Sequence, residues 1–163
     1  MAAIRKILIP IDFNVRSLKL ATYAFELYPK EVVNLMLVYP YRLPLWDVEL
    51  YWFSPRKIIT ELNNEAFSRA KDELVNRFYA NICSIEMTLF TGVNSIAFKN
   101  FINHHKVQTA IIPQNGFLDF SHGATFDSLR LIQKNMADVR TIAMDKKDDT
   151  KQSTERKGFN VLR

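Results

Sequence analysis

Lys6-Ile7-Leu8-Ile9-Pro10-Ile11-Asp12-Phe13-Asn14 is a short apolar run that ends abruptly in a carboxylate and an amide. A strand this uniformly apolar is buried on both faces, as in a parallel sheet covered by helices on each side. Open α/β sheets place their ligands outside the carboxyl ends of the strands. The polar end of this run, Asp12 and Asn14, therefore marks where a site is expected.

Working outward, Asn14 is suited to cap a helix that carries Leu18, Ala21, Phe25 and Tyr28 on one face and stops at Pro29. Val32 to Val38 reads as a second buried strand. Ser54 and Pro55 start a helix whose apolar face runs through Ile59, Leu62, Ala66, Ala70, Leu74 and Phe78 to about Tyr79. Cys83, Ile85, Met87 and Leu89 alternate with Ser84, Glu86 and Thr88, so the third strand belongs at a sheet edge with one wet face, and Cys83 is expected in the core.

Gly92 turns the chain, and Asn94 or Ser95 caps a helix with Ile96, Ala97, Phe101 and Ile102 that ends in His104-His105-Lys106. Adjacent histidines point about 100° apart on a helix, a poor metal pair but good partners for the helix dipole. Val107 to Ile112 is a fourth strand, closed by Pro113-Gln114-Asn115-Gly116. A loop runs to Thr125, which is placed to cap a last helix through Phe126, Leu129, Ile132 and Met136 before a strand from Val139 to Met144. Strands and helices alternate throughout, which predicts an α/β, doubly wound, five-stranded parallel sheet of Rossmann-like type with helices on both faces.

Residues 40 to 54 break this rhythm. Pro40, Pro44 and Pro55 bracket Tyr41, Trp46, Tyr51, Trp52 and Phe53 in a connection too long for an ordinary loop. The aromatic loop 41–53 is read either as packing over the sheet edge or as a protein-interaction surface.

The 163 residues fit one domain, here residues 1–145, followed by a charged tail, 146–163, expected to be mobile for lack of apolar content. A composition 48% hydrophobic and 24% charged is that of a globular protein. The single Cys83 cannot form an internal disulfide, no stretch reaches the roughly 18 apolar residues of a membrane span, and no signal-peptide pattern is present, so a cytoplasmic protein without a membrane partner is expected. The net charge of +5 comes from Lys and Arg scattered among Asp and Glu, without the basic, aromatic-interleaved patch of a nucleic-acid binder. No Ser-His-Asp or Cys-His arrangement can be composed, and catalytic and metal sites are not expected.

Several families share this element order. A response-regulator receiver would need an acidic cluster after the first strand, and a flavodoxin or dinucleotide binder a glycine-rich phosphate loop there. Asp12-Phe13-Asn14-Val15 supplies neither. From Lys6 to about Met144 the chain instead resembles the universal stress protein family, through the opening run Lys6 to Asn14, Thr91-Gly92 after the edge strand, and Val107 to Pro113 before a glycine.

The resemblance implies strand order 3-2-1-4-5 and a crevice between the first and fourth strands. Many members of that family are similar in binding ATP there, and the adenosine-holding positions would map to Asp12 and the backbone near Val38. Phosphates would lie on a loop of pattern Gly, two residues, Gly, nine residues, Gly, then Ser or Thr, and on the start of the last helix. Asn115 and Gly116 stand at the first glycine, but Asp119 and Leu129 replace the next two; Gly123 and Thr125 offer a shifted substitute. No cofactor is therefore expected, and ATP in the usual mode least of all, while an ATP- or AMP-binding member of the same family stays open as the alternative. The resemblance also implies a stress-response or regulatory role and a homodimer paired through Thr141, Ile142, Ala143 and Met144.

Overall fold

The computed structural model describes residues 4–43, 51–121 and 123–144. Pro44, Trp46, His122 and the charged tail lie outside the described residues, as does the domain boundary at 145. Strand β1 (Ile4–Pro10) leads through a short 3-10 turn (Val15–Leu18) into α1 (Lys19–Leu27), and β2 (Val32–Pro40) follows. Helices α2 (Pro55–Leu62) and α3 (Glu65–Arg77) precede β3 (Ile82–Phe90); then come α4 (Ser95–His105), β4 (Thr109–Pro113), α5 (Leu129–Asn135) and β5 (Val139–Ile142).

The strands form one sheet in the order β3-β2-β1-β4-β5, every pair parallel. The uniform apolarity of β1 and β2 is explained by two cores. Ile7, Ile9 and Ile11 join Leu35, Leu37, Leu20, Phe25, Phe67 and Leu74 on one face. Leu8, Met36, Val38, Ala110 and Ile112 join Phe98, Leu129 and Ile132 on the other. Alternate residues of one strand thus feed opposite layers, and each fully buried Ile or Leu contributes roughly 1.5–3 kcal/mol relative to exposure.

At the amino ends of the strands a polar network replaces apolar packing. Arg5 grips Glu31 with two donors, at 2.6 and 3.1 Å, and gives a third to Thr109, whose hydroxyl donates to Asp138 at 2.8 Å. The guanidinium also lies 4.3 Å from the centre of the Tyr28 ring. Hydrogen bonding to Arg5 holds the Glu31 carboxyl below its ordinary range.

Four local readings are corrected. Asn14 makes no side-chain cap; its carbonyl accepts from the Ser17 hydroxyl at 2.7 Å and its amide donates to Asp12. The helix expected from Ser54 to Tyr79 is broken at Asn63 and Asn64: Asn64 caps α3 by accepting from the Phe67 amide at 2.9 Å, while its own amide group donates to the Phe13 carbonyl at 3.0 Å. Two asparagines in sequence are poor helix interior and good cap, which the apolar periodicity on either side concealed. Cys83 is exposed, because the sheet edge near the start of β3 is less covered than the strand's alternation suggested. The last helix begins at Leu129, with Asp127 accepting from its amide at 2.9 Å, and Thr125 is used elsewhere.

Candidate functional site

The exit from β1 is shaped by Phe13, a non-glycine residue at φ 60. That left-handed backbone is held by burial of the ring, 5.1 Å from Tyr39 and 5.3 Å from Phe67, and by the Asn64 bond to its carbonyl. The reversal leaves the Asp12 side chain fully buried. One carboxylate oxygen accepts from the Asn14 amide at 3.0 Å and the other from the Asp119 amide at 2.9 Å. Arg16 stands 4.0 Å from the second oxygen and 5.3 Å over the ring of Phe117, so one cation faces both the acid and the loop that covers it.

That loop, from Gln114 to Thr125, lies between the carboxyl ends of the strands. Phe117 and Leu118 are 3% and 7% exposed and belong to the core on the α1 and α3 face, and Phe120 packs against both cores. A phosphate cradle needs converging backbone amides and room for the anion. Here the corresponding segment carries two apolar side chains into the core and an acid, Asp119, whose carboxylate accepts from the Ser121 amide at 2.9 Å. The ends of the loop are fastened independently. The Gln114 side chain donates to the Met144 carbonyl at 2.7 Å, the Thr125 hydroxyl donates to the Pro40 carbonyl at 2.8 Å, and the Arg42 amide donates to the Ala124 carbonyl at 2.7 Å.

The six candidate binding residues fall into two groups. Asp12, Val38 and Thr125 are buried or half-buried, and their polar groups already have partners: the Val38 carbonyl accepts from the Ile11 amide at 2.9 Å, and Thr125 forms an isolated antiparallel bridge with Tyr41. Asn115, Gly116 and Gly123 are exposed on the loop, the two glycines at φ 86 and φ 61. Sequence reading missed Tyr39. Its phenol is pushed up by burial, with Asp12, Tyr41 and Asp119 adding to the shift and a hydrogen bond with Thr125 opposing it. The signal for it was available, since a tyrosine ending an otherwise aliphatic strand brings a polar tip to the ligand end of the sheet.

No protein-family model matches the chain, and no curated protein matches it in sequence. The observed strand order is the one that the family resemblance implied. Among solved structures the chain is similar to universal stress protein UspA from Lactobacillus plantarum, at 15% identity and a TM-score of 0.47, over 89% of this chain and 100% of that one. It is also similar to a universal stress protein in complex with cAMP, at 14% identity and a TM-score of 0.48, over 88% of this chain and 100% of that one. A universal stress protein family protein from Arabidopsis thaliana with AMP bound gives 11% identity and a TM-score of 0.48, over 88% of this chain and 94% of that one.

Within this fold the aromatic loop divides. Tyr41 and Phe53 stack at 5.9 Å and fasten both ends of the connection, whereas Tyr51 and Trp52 meet edge to face and remain 80% and 74% exposed. Among the described residues no group of His, Cys, Asp and Glu could hold a metal ion, and no helix is long and apolar enough to cross a membrane.

Proposed function

We propose that this chain is a non-catalytic regulatory or stress-response protein of universal-stress-protein type, whose nucleotide crevice is degenerate and does not take ATP in the usual mode. The observation that carries the reading is the engagement of Asp12 by the Asp119 amide, with the neighbouring Phe117 and Leu118 buried in the core. A ligand that used Asp12 in this arrangement would have to displace that amide, and a triphosphate would meet the Asp119 carboxylate. Titration calorimetry of the purified protein with ATP and AMP, with and without magnesium, tests the reading. No heat of binding at micromolar ATP is expected; micromolar affinity for ATP would overturn it.

We take the protein to be cytoplasmic and to pair as a homodimer along Thr141, Ile142, Ala143 and Met144. The position of β5 at one end of the sheet supports the second point, because an unpaired strand edge invites another. Light scattering at micromolar concentration should return twice the monomer mass, and a monomer would count against it.

A second reading, a protein-interaction module, is favoured by one observation: the Tyr51 and Trp52 side chains stand clear of the core. Large aromatics dominate the energetics of contact surfaces when they are covered. Replacing both with Ser should leave the melting temperature unchanged if they serve a partner; a lowered melting temperature would assign them to packing.

A further inference from the structure

The turn after β4 sets an asparagine directly before a glycine, and Asn115 is the only asparagine of the chain in that position. Gln114 to Phe117 close the turn with a Phe117 amide 3.4 Å from the Gln114 carbonyl, long for a hydrogen bond. Gly116 stands at φ 86 while Asn115 is not at positive φ, the pattern of a type II turn. Both residues are exposed, and a Cβ built on Gly116 meets nothing within 4 Å. Among the described residues, neither the Asn115 side chain nor the Gly116 amide makes a hydrogen bond. Asn94-Ser95 is the contrasting pair, again an asparagine before a small residue. There the Asn94 side chain accepts from the Ala97 amide at 2.9 Å and the Asn94 carbonyl from the Phe98 amide at 3.0 Å, so the peptide plane between Asn94 and Ser95 cannot rotate without opening the first turn of α4.

We propose that Asn115 is a site of spontaneous covalent modification, deamidation through the Gly116 nitrogen, and that the fold leaves it open while it protects Asn94. Hydroxide removes the Gly116 amide proton, and the nitrogen pair attacks the side-chain carbonyl carbon of Asn115. The bond from that carbon to the side-chain nitrogen breaks, ammonia leaves with a proton taken from water, and a succinimide ring is closed. Water then adds to either ring carbonyl and the ring C–N bond at that carbon breaks, leaving an aspartate or an isoaspartate. One water enters, one ammonia departs, and nothing is oxidised or reduced. Glycine permits the attack because the peptide plane must rotate to bring its nitrogen to the side chain, and no Cβ restricts that rotation. The product adds a carboxylate to the turn, and the isoaspartate adds a backbone atom between Gln114, tied to the Met144 carbonyl, and the buried Phe117. The chain thereby acquires an irreversible mark of age at the carboxyl end of β4, whatever the crevice binds.

The test incubates the full-length protein at mildly alkaline pH, native and unfolded in urea, and follows the tryptic peptides by mass spectrometry. Asn115 is the only asparagine in the peptide from Val107 to Arg130, so an amide-to-acid mass gain that splits into two chromatographic peaks reports its conversion. The native rate at Asn115 is expected within about threefold of the unfolded rate, because no local structure has to open first. At Asn94 the native rate is expected about tenfold below the unfolded one, the factor set by opening a helix cap. The variant G116A should convert about fivefold more slowly when both proteins are unfolded, where the strain of its native turn plays no part. Native protection of Asn115 by tenfold or more overturns the proposal, as does a native Asn94 that converts as fast as Asn115. An unfolded G116A chain converting at the wild-type rate overturns the route through the Gly116 nitrogen.

Discussion

The Asp12 carboxylate and the Asp119 amide, 107 residues apart in the chain, meet at 2.9 Å over the carboxyl end of β1. An acid expected from the sequence as a ligand contact is a tie between the central strand and the loop after β4. Replacing Asp12 with Ala leaves a part-buried amide without its acceptor, and hydrogen bonds to charged groups contribute about 1.5–3 kcal/mol. D12A should lower stability by about that amount in urea unfolding. D12N keeps one carbonyl oxygen and should lose less. A D12A variant as stable as the wild type would mean that the tie holds nothing.

Asn64 acts on the same corner from the other side. It caps α3 through the Phe67 amide and donates to the Phe13 carbonyl, so it fixes the left-handed residue that aims Asp12. Loss of a cap alone costs about 0.5–2 kcal/mol. N64A should cost at least the upper part of that range, and N64D, which can still cap but cannot donate to Phe13, should fall between it and the wild type. Equal stability of N64D and the wild type would show that the Phe13 bond is idle.

The sheet was legible in the sequence because each strand had to satisfy two cores at once, and only unbroken apolar runs such as Ile7 to Ile11 and Leu35 to Tyr39 can do so. The place of Asp12 just beyond the carboxyl end of the central strand was legible from where the run stopped. The loop was legible only as a departure from glycine; nothing in the order Phe117-Leu118-Asp119 says that the first two side chains turn inward and that the third offers its amide to Asp12. Those outcomes depend on the space left between α1 and α3, a tertiary quantity. The break at Asn63 and Asn64 was hidden because Leu62, Ala66 and Ala70 keep helical spacing across it.

His105 gives the molecule a pH dependence with a definite sign. Burial against the Phe101 ring, 4.6 Å away, lowers its pKa from 6.5, and Lys6 and His104 push in the same direction while Glu86 opposes them. The unfolded chain therefore takes up the proton first, and stability present above about pH 6.5 is lost as the pH falls through the folded value. Glu31, held low by Arg5, acts only in the more acidic carboxylate window. The melting temperature should fall between about pH 7.5 and pH 5.5, and H105Q should flatten that slope. An equal slope in the variant would place the titration elsewhere.

Gly92 sits where β3 hands over to α4, and its constraint differs from that at Gly116 and Gly123. A Cβ added there would collide with the Cβ of Ala97 in the first turn of α4 and press on the Phe90 ring at 3.2 and 3.3 Å. Phe90 is itself packed edge to face on Phe98, so the ring has little freedom to yield. The backbone must shift instead, at a cost of about 1–3 kcal/mol. At Gly116 and Gly123 an added methyl meets no atom within 4 Å, and the penalty is backbone strain alone, about 1 kcal/mol. Urea unfolding should therefore rank G92A as the least stable of the three, and the double variant G92A/A97G should recover part of the loss, because removing the opposing Cβ relieves the collision while glycine in the helix costs about 0.5–1 kcal/mol. A G92A protein no less stable than G116A would show that α4 can move away freely, and that the turn after β3 does not position the helix.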